Sequence, residues 1–164
     1  MIRFHTFLQA AAILALLLMS SCSQPVKHDG LLFNISGSEA TVSAPLSHSV
    51  SSVSIPDIIV CNGDTIAVTA IGSDAFKGCK RLTSVTIPQS ITEIKPGAFS
   101  GCSQLKQIFC RIAAPLAIDS TTFQGVDRNR CQIFVPMMCE PSYENADEWR
   151  QFAIATDASV VDFL

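Results

Sequence analysis

Residues 71–88 read IGSDAFKGCKRLTSVTIP, and residues 94–110 nearly repeat that line as IKPGAFSGCSQLKQIFC. A third copy begins at residue 118, so the copies start 23 and 24 residues apart. Self-similarity at a period of this length is typical of a solenoid, in which each copy forms one coil. The apolar and glycine positions that recur are Ile71, Ile94 and Ile118; Phe76, Phe99 and Phe123; Gly78, Gly101 and Gly125; and Val85, Ile108 and Ile133.

Each copy contains the signal of a short strand. In LTSVTI, residues 82–87, the pattern predicts that Leu82, Val85 and Ile87 point into the core. The intervening Ser84 and Thr86 then point outward. The proline that follows ends the strand, because proline cannot donate a hydrogen bond to the ladder.

The other half of each coil is predicted to be a tight helical turn on the opposite wall. In KPGAFSG, residues 95–101, this turn inserts Phe99 into the core, and Gly101 supplies the positive φ that ends it. One coil cannot bury both of its apolar faces alone. Copies stacked about 4.8 Å apart bury them in a continuous core.

An earlier, incomplete copy is SSVSIP, residues 51–56. Between it and the first full copy lies the insertion DIIVCNGDTIAVTAIG, residues 57–72. Its Asn62-Gly63 pair lies between two arms rich in β-branched residues, which is a strong signal of a two-residue hairpin.

The pattern I-G-x-x-A-F-x-G-C-x-x-L-x-x-V-x-I-P, residues 71–88, resembles the leucine-rich repeats of BspA-like bacterial surface proteins. The resemblance extends from about residue 31 to the C-terminus. The third copy departs from the pattern, with Thr122 in place of alanine and Val126 in place of cysteine.

The expected fold class is an α/β-type, β-rich solenoid: a short leucine-rich-repeat array with parallel strands on one face, an inserted hairpin and a C-terminal helical cap. The cap is predicted because a solenoid end must be covered, and its apolar residues lie three apart, as on one helical face. The predicted segments are a signal peptide (1–21), a tether (22–30), N-terminal strands and hairpin (31–70), repeats (71–136) and a cap (137–164). The apolar cap residues are Tyr143, Ala146, Trp149 and Phe152.

The N-terminus MIRFHTFLQAAAILALLLMSSC indicates export. A basic Arg3 precedes an apolar run over residues 7–19, which is shorter than the roughly 20 residues that span a bilayer. Its end resembles the lipobox of bacterial lipoproteins, which implies that Cys22 is lipidated and attaches the chain to a membrane. Since Ser23 is not aspartate, the resemblance implies the outer membrane, on either its periplasmic or its surface face. The alternative is an ordinary secretory signal with Cys22 unmodified.

The cysteine pattern indicates packing rather than chemistry. His5, His28 and His48 all precede the full repeats, so we expect no Cys-His pair next to Cys79 or Cys102. Their position after a glycine suits a buried thiol. A disulfide between these stacked neighbours and a reactive thiol are the alternatives. The register separates Cys110 from Cys131 by about 13 Å along the strands, too far for a disulfide.

The remaining composition excludes several function classes. The net charge is −3 with a pI near 5.5, so no basic surface for nucleic acid is expected. The carboxylates are scattered, and no zinc spacing, phosphate loop or nucleophile motif is present. We therefore expect no catalytic residue, metal site or small-molecule cofactor.

Outward strand positions are the candidate binding surface. The register places Phe109 beside Phe134, about 5 Å apart, with Thr86, Gln107 and Gln132 around them. The alternative is that loops or the cap cover both rings. Two tripeptides that begin at Asp64 and Asp119 resemble sequons of periplasmic O-glycosylation in some gut bacteria, which implies possible modification of Thr65 and Ser120.

The function expected is a non-catalytic, lipid-anchored envelope protein that mediates protein–protein interaction or adhesion. Its partners would be host or envelope proteins. The alternative is a periplasm-facing accessory subunit of an envelope complex. A small enzyme or redox protein is a third hypothesis, which requires a thiol with a low pKa.

Overall fold

A computed structural model describes residues 25–157 of the 164-residue chain. These residues form eleven strands, one short α-helix and one 3-10 turn. The strands are β1 (Val26–His28), β2 (Leu31–Ser36), β3 (Glu39–Pro45), β4 (Ser52–Ser54), β5 (Ile58–Cys61), β6 (Asp64–Ile71), β7 (Ser84–Ile87), β8 (Glu93–Ile94), β9 (Gln107–Cys110), β10 (Gln132–Val135) and β11 (Ala153–Thr156); the helix is α1 (Glu140–Glu144) and the 3-10 turn is Trp149–Gln151.

The repeats build one parallel sheet. Its order is β11-β10-β9-β7-β4, and neighbouring strands pair without a register shift. The strand predicted from LTSVTI is confirmed, with Leu82, Val85 and Ile87 completely buried. The β-rich solenoid with parallel strands is thus confirmed. The sheet also includes β11, which lies within the segment 137–164 assigned to the cap.

A second sheet forms the opposite wall. Its order is β1-β2-β3-β6-β5, with β8 also pairing with β6. Strands β3, β6 and β8 run parallel, one from each successive coil, whereas β1 and β2 extend the sheet antiparallel. The inserted hairpin β5–β6 is confirmed: Asn62 (φ 55°) and Gly63 (φ 91°) form its turn.

The core between the walls contains a ladder of stacked rings. Phe76 and Phe99 lie 5.2 Å apart, and Phe99 and Phe123 lie 5.4 Å apart. The segment 95–101 forms hydrogen-bonded turns rather than the predicted helical turn. The reason is that amides in this wall bond to the next coil, as Phe99 N does to Thr122 O at 2.9 Å. Gly101 has the expected positive φ of 75°.

The predicted C-terminal helical cap is not confirmed. Helix α1 ends at Glu144, and the chain reaches the 3-10 turn through Glu148, whose φ of 66° is incompatible with a continuous helix. Tyr143, Trp149 and Phe152 are nevertheless buried, and the last two pack edge-on against Phe123. Turns place these rings because the chain must then return to the sheet as β11.

The tether predicted over residues 22–30 is wrong in part, because residues 26–28 form β1, which pairs with β2. The predicted signal peptide and Cys22 lie outside the described residues. Among residues 25–157, no helix is long and apolar enough to cross a membrane.

Candidate interaction surface

The outward side chains of the repeat sheet form two straight rows, because its strands pair in register. Both rows contain small or uncharged side chains at the ends and larger ones near the middle. The first row is Ser54, Thr86, Phe109, Phe134 and Ala155, and the second row is Ser52, Ser84, Gln107, Gln132 and Ala153. We call these ten positions the sheet face.

The structure brings together all five predicted binding residues on this face. Phe109 and Phe134 are stacked, with ring centroids 4.8 Å apart and ring planes 15° apart. Both side chains are half-buried, so neither loops nor the C-terminal segment cover them completely. Thr86 and Gln132 are also half-buried, whereas Gln107 is exposed.

The stacking decides which parts of the two rings are open to a ligand. Their inner faces contact each other, whereas each outer ring face lies above a small neighbour, Thr86 on one side and Ala155 on the other. An apolar group of a partner can therefore pack against either outer face or along the ring edges. The chemistry available is apolar contact flanked by amide and hydroxyl hydrogen bonds.

The sheet face carries no charge, since none of its ten positions is acidic or basic. The sheet face itself therefore offers no charged group with which a ligand could form an ion pair. Recognition would depend on shape, apolar burial and hydrogen bonds, as at the centre of protein interfaces.

The cysteines in the repeats are packing residues. Cys79, Cys102, Cys110 and Cys131 are all buried, and none is joined in a disulfide. Burial raises the pKa of the Cys102 thiol to about 12 and, with the nearby Asp127 carboxylate, raises the pKa of the Cys131 thiol to about 12. These thiols are neutral at physiological pH and lack the character of a nucleophile.

The expectation that no histidine lies next to Cys79 is wrong. His48 Nδ1 lies 3.4 Å from Cys79 Sγ. The inserted hairpin lengthens the sequence between adjacent coils, which hides this proximity from a fixed-period alignment. Burial raises the pKa of the Cys79 thiol, so His48 contacts a neutral thiol and the pair lacks the activation of a catalytic Cys-His couple.

The two predicted glycosylation positions are accessible. Thr65 is exposed beside the hairpin turn, and Ser120 is exposed in a turn where Asp119 accepts a hydrogen bond from Thr121 N at 2.8 Å. Within residues 25–157, no group of three histidine, cysteine or acidic side chains is arranged to hold a metal ion.

Sequence reasoning missed two exposed apolar side chains, Ile58 and Val60, which are 52% and 57% exposed. The sequence IIVC gives no sign of them, because three consecutive apolar residues do not show which ones point outward. It also missed Ala153 and Ala155, which extend the sheet face by one strand.

The same architecture occurs in solved bacterial proteins. A leucine-rich repeat protein from Bacteroides ovatus is 19% identical with a TM-score of 0.52, over 80% of this chain and 41% of that one. One from Bacteroides capillosus is 21% identical with a TM-score of 0.51, over 68% of this chain and 97% of that one. A leucine rich cell surface protein from Faecalibacterium prausnitzii is 23% identical with a TM-score of 0.48, over 69% of this chain and 27% of that one.

The two Bacteroides likenesses concern the fold alone. This chain spans less than half of the Bacteroides ovatus chain and about a quarter of the Faecalibacterium prausnitzii chain. A search of curated proteins found no match. The BspA type leucine rich repeat region matches residues 48–137 in six copies, more than half of the sequence. With its stacked coils and parallel sheet, the chain therefore belongs to the BspA-type leucine-rich repeat family.

Proposed function

We propose that this chain is a non-catalytic protein-interaction module of a bacterial envelope, attached to the outer membrane through a lipid on Cys22, with the sheet face as its contact surface. Membership of a leucine-rich repeat family supports protein–protein interaction, since such folds are typically binding scaffolds. The lipobox-like residues before Cys22 support the anchor.

The observation that carries the proposal is the stacked pair of Phe109 and Phe134 on an otherwise uncharged face. Phenylalanine, like tyrosine and tryptophan, is enriched in protein interfaces relative to the rest of the protein surface. Their neighbours Gln107, Gln132 and Thr86 can supply the polar rim. The partner class is a host or envelope protein, and the surface needs no cofactor.

The test is affinity capture from envelope fractions with immobilised protein that lacks residues 1–22. The variant F109S/F134S removes both rings. The control is L46S/M138S, which removes two exposed apolar side chains that lie outside the sheet face. A partner identified by mass spectrometry is then purified and titrated against all three proteins.

The proposal expects the control to retain the partner and F109S/F134S to bind it at least tenfold more weakly. Equal binding by F109S/F134S and the wild type would refute the sheet face as the contact surface. Adhesion is tested separately by adding protease to intact cells. Cleavage supports display on the cell surface, whereas resistance until the outer membrane is permeabilised supports the periplasm-facing subunit.

The anchor is tested by the substitution Cys22→Ala. We expect the wild-type chain to fractionate with membranes and to incorporate a labelled fatty acid such as palmitate. The variant should lose both properties. A wild-type chain that incorporates no labelled fatty acid would exclude the lipid, and a variant that still fractionates with membranes as the wild type does would exclude Cys22 as the anchor.

A further inference from the structure

Strand β5 is the outer strand of the inserted hairpin and lies at the end of its sheet in the described part of the chain. It pairs antiparallel with β6 along its whole length. The insertion makes this hairpin an addition to the repeat rather than part of it: Val53 and Val85 are 32 residues apart, whereas Val85 and Ile108 are 23 apart. Repeat geometry alone therefore does not explain the hairpin.

The backbone of β5 offers hydrogen-bonding groups on its outer side. Val68 N donates to Asp57 O at 2.8 Å, which shows that Asp57 faces β6. Because hydrogen bonding alternates along an antiparallel pair, Ile59 also faces β6, whereas Ile58 and Val60 face away. No other backbone group among residues 25–157 hydrogen-bonds to Ile58 or Val60.

The same two residues expose their side chains. Ile58 is 52% and Val60 is 57% exposed, whereas Ile59 between them is 1% exposed and belongs to the core. Natural edge strands are usually protected by lysine, proline or a bulge. Strand β5 has none of these features, whereas the edge strand β4 of the other sheet is only three residues long and exposes serines.

Two carboxylates lie at the two ends of the β5–β6 hairpin, on the face opposite Ile58 and Val60, because side chains alternate along a strand and directly paired residues share a face. Asp57 precedes β5, and Asp64 lies beside its other end, paired with Cys61. Both side chains are exposed, and a four-residue strand separates the two ends by about 13 Å. Asp57 Oδ1 also accepts a hydrogen bond from Ser90 N at 3.3 Å, which holds that carboxylate at the strand's start.

We propose that the outer edge of β5 is a strand-addition site for an extended protein segment with two apolar residues at alternate positions and a basic residue immediately before and after them. The segment's backbone pairs with Ile58 and Val60, and its apolar side chains pack beside theirs. The flanking basic residues then lie on the opposite face, which is the face that carries Asp57 and Asp64. This site is separate from the sheet face.

A second copy of the chain fits the edge less well. Antiparallel pairing of two β5 strands would place Asp57 of one copy about two strand spacings, roughly 10 Å, from Asp64 of the other, at both ends. Like charges at this distance repel, and no basic residue on the strand offsets them. Charge complementarity therefore selects a basic partner.

The test uses the chain without residues 1–22 and a fluorescent peptide of sequence T-K-V-T-V-K-T, and binding is followed by fluorescence anisotropy. We expect saturable binding that weakens with added salt. The variant Val60→Pro removes the outward N–H without removing a bond to β6. The variant Ile58→Lys/Val60→Lys protects the edge through exposed side chains and serves as a second disruption if the proline variant does not fold. Each should weaken binding at least tenfold.

The contribution of charge to binding is tested with one further variant and one further peptide. The variant D57N/D64N should bind the peptide at least threefold more weakly, with a flatter salt dependence, and the peptide T-E-V-T-V-E-T should bind at least tenfold more weakly than its lysine counterpart. The variant F109S/F134S should bind the lysine peptide like the wild type, because it alters a different surface.

Three results would overturn the proposal. They are saturable binding that persists unchanged in both edge variants, equal binding of the acidic and basic peptides, and absence of any peptide binding by the folded wild type. A fourth contradicting result would come from sedimentation velocity. If the chain forms a concentration-dependent dimer and Val60→Pro abolishes it, the edge binds a second copy of the chain instead.

Discussion

Replacing Phe99 with leucine measures how much the buried ring ladder stabilises the stacked coils. Phe99 is completely buried and stacks on two rings, at 5.2 and 5.4 Å. Each aromatic pair contributes about 0.5–1.5 kcal/mol beyond the area buried, so losing both destabilises the fold by about 1–3 kcal/mol. The matched control is Phe109→Leu, in which a half-buried ring loses one stacking partner at 4.8 Å. That change should destabilise by less than about 1 kcal/mol.

Urea unfolding provides the assay, followed through the fluorescence of Trp149, the only tryptophan, which packs edge-on against Phe123. Both variants should unfold with the slope of the wild type, and Phe99→Leu should have the lower midpoint. If Phe109→Leu destabilises as much as Phe99→Leu, then the buried ring ladder does not contribute the extra stability predicted for it.

Three further predictions concern the core and its titration. Thr122 is completely buried with no hydrogen-bond partner for its hydroxyl in the described chain, so Thr122→Val should raise the free energy of unfolding by about 1 kcal/mol; a lower melting temperature by calorimetry would contradict this. Gly97 has a φ of 71° and an added Cβ would overlap Asp74 Oδ1, so Gly97→Ala should destabilise by about 2 kcal/mol in urea unfolding, and Asp74→Ala should recover part of the loss. The pKa of Cys102 and of Cys131 is raised to about 12, so each thiol contributes stability that is complete below its unfolded pKa of about 8.5 and is lost as the pH rises toward about 12. Cys102→Ala should reduce the fall of unfolding free energy between about pH 9 and 11 by up to about 1.4 kcal/mol per pH unit, and an unchanged slope would contradict the raised pKa.

The repeat sheet could be predicted from the sequence because one period determines both the strands and their register. Once Val85, Ile108 and Ile133 are aligned, the outward residues of neighbouring coils must be adjacent, and the contact between Phe109 and Phe134 follows. Hairpin turns are equally local, since Asn62-Gly63 needs only its own backbone preference.

The C-terminal segment could not be predicted in the same way. Three-residue spacing of Tyr143, Trp149 and Phe152 suits a helix, but it also suits successive turns that bury the same rings. Tertiary packing decides between them, because the chain must return to the sheet as β11. Short strand β1 was missed for a related reason: VKH has no apolar alternation, and its pairing with β2 determines its structure.

The contacts of His48 and the exposure of Ile58 could not be predicted, because both depend on the path of the inserted hairpin and the repeat does not specify that path. A fixed period cannot place His48 against Cys79 across an inserted hairpin. It also cannot show that Ile58 and Val60 lie on the free side of an edge strand. Both facts require the three-dimensional pairing of β5 with β6.

Photo-crosslinking in cells tests most directly whether the sheet face contacts a partner. A photoreactive phenylalanine analogue replaces Phe109 in one strain, and in a second strain it replaces Lys77, which is exposed on the turn side of the solenoid. We predict a crosslinked adduct with another protein from position 109 and none from position 77. An adduct from position 77 alone, or from neither position, would contradict the sheet face as the interaction surface.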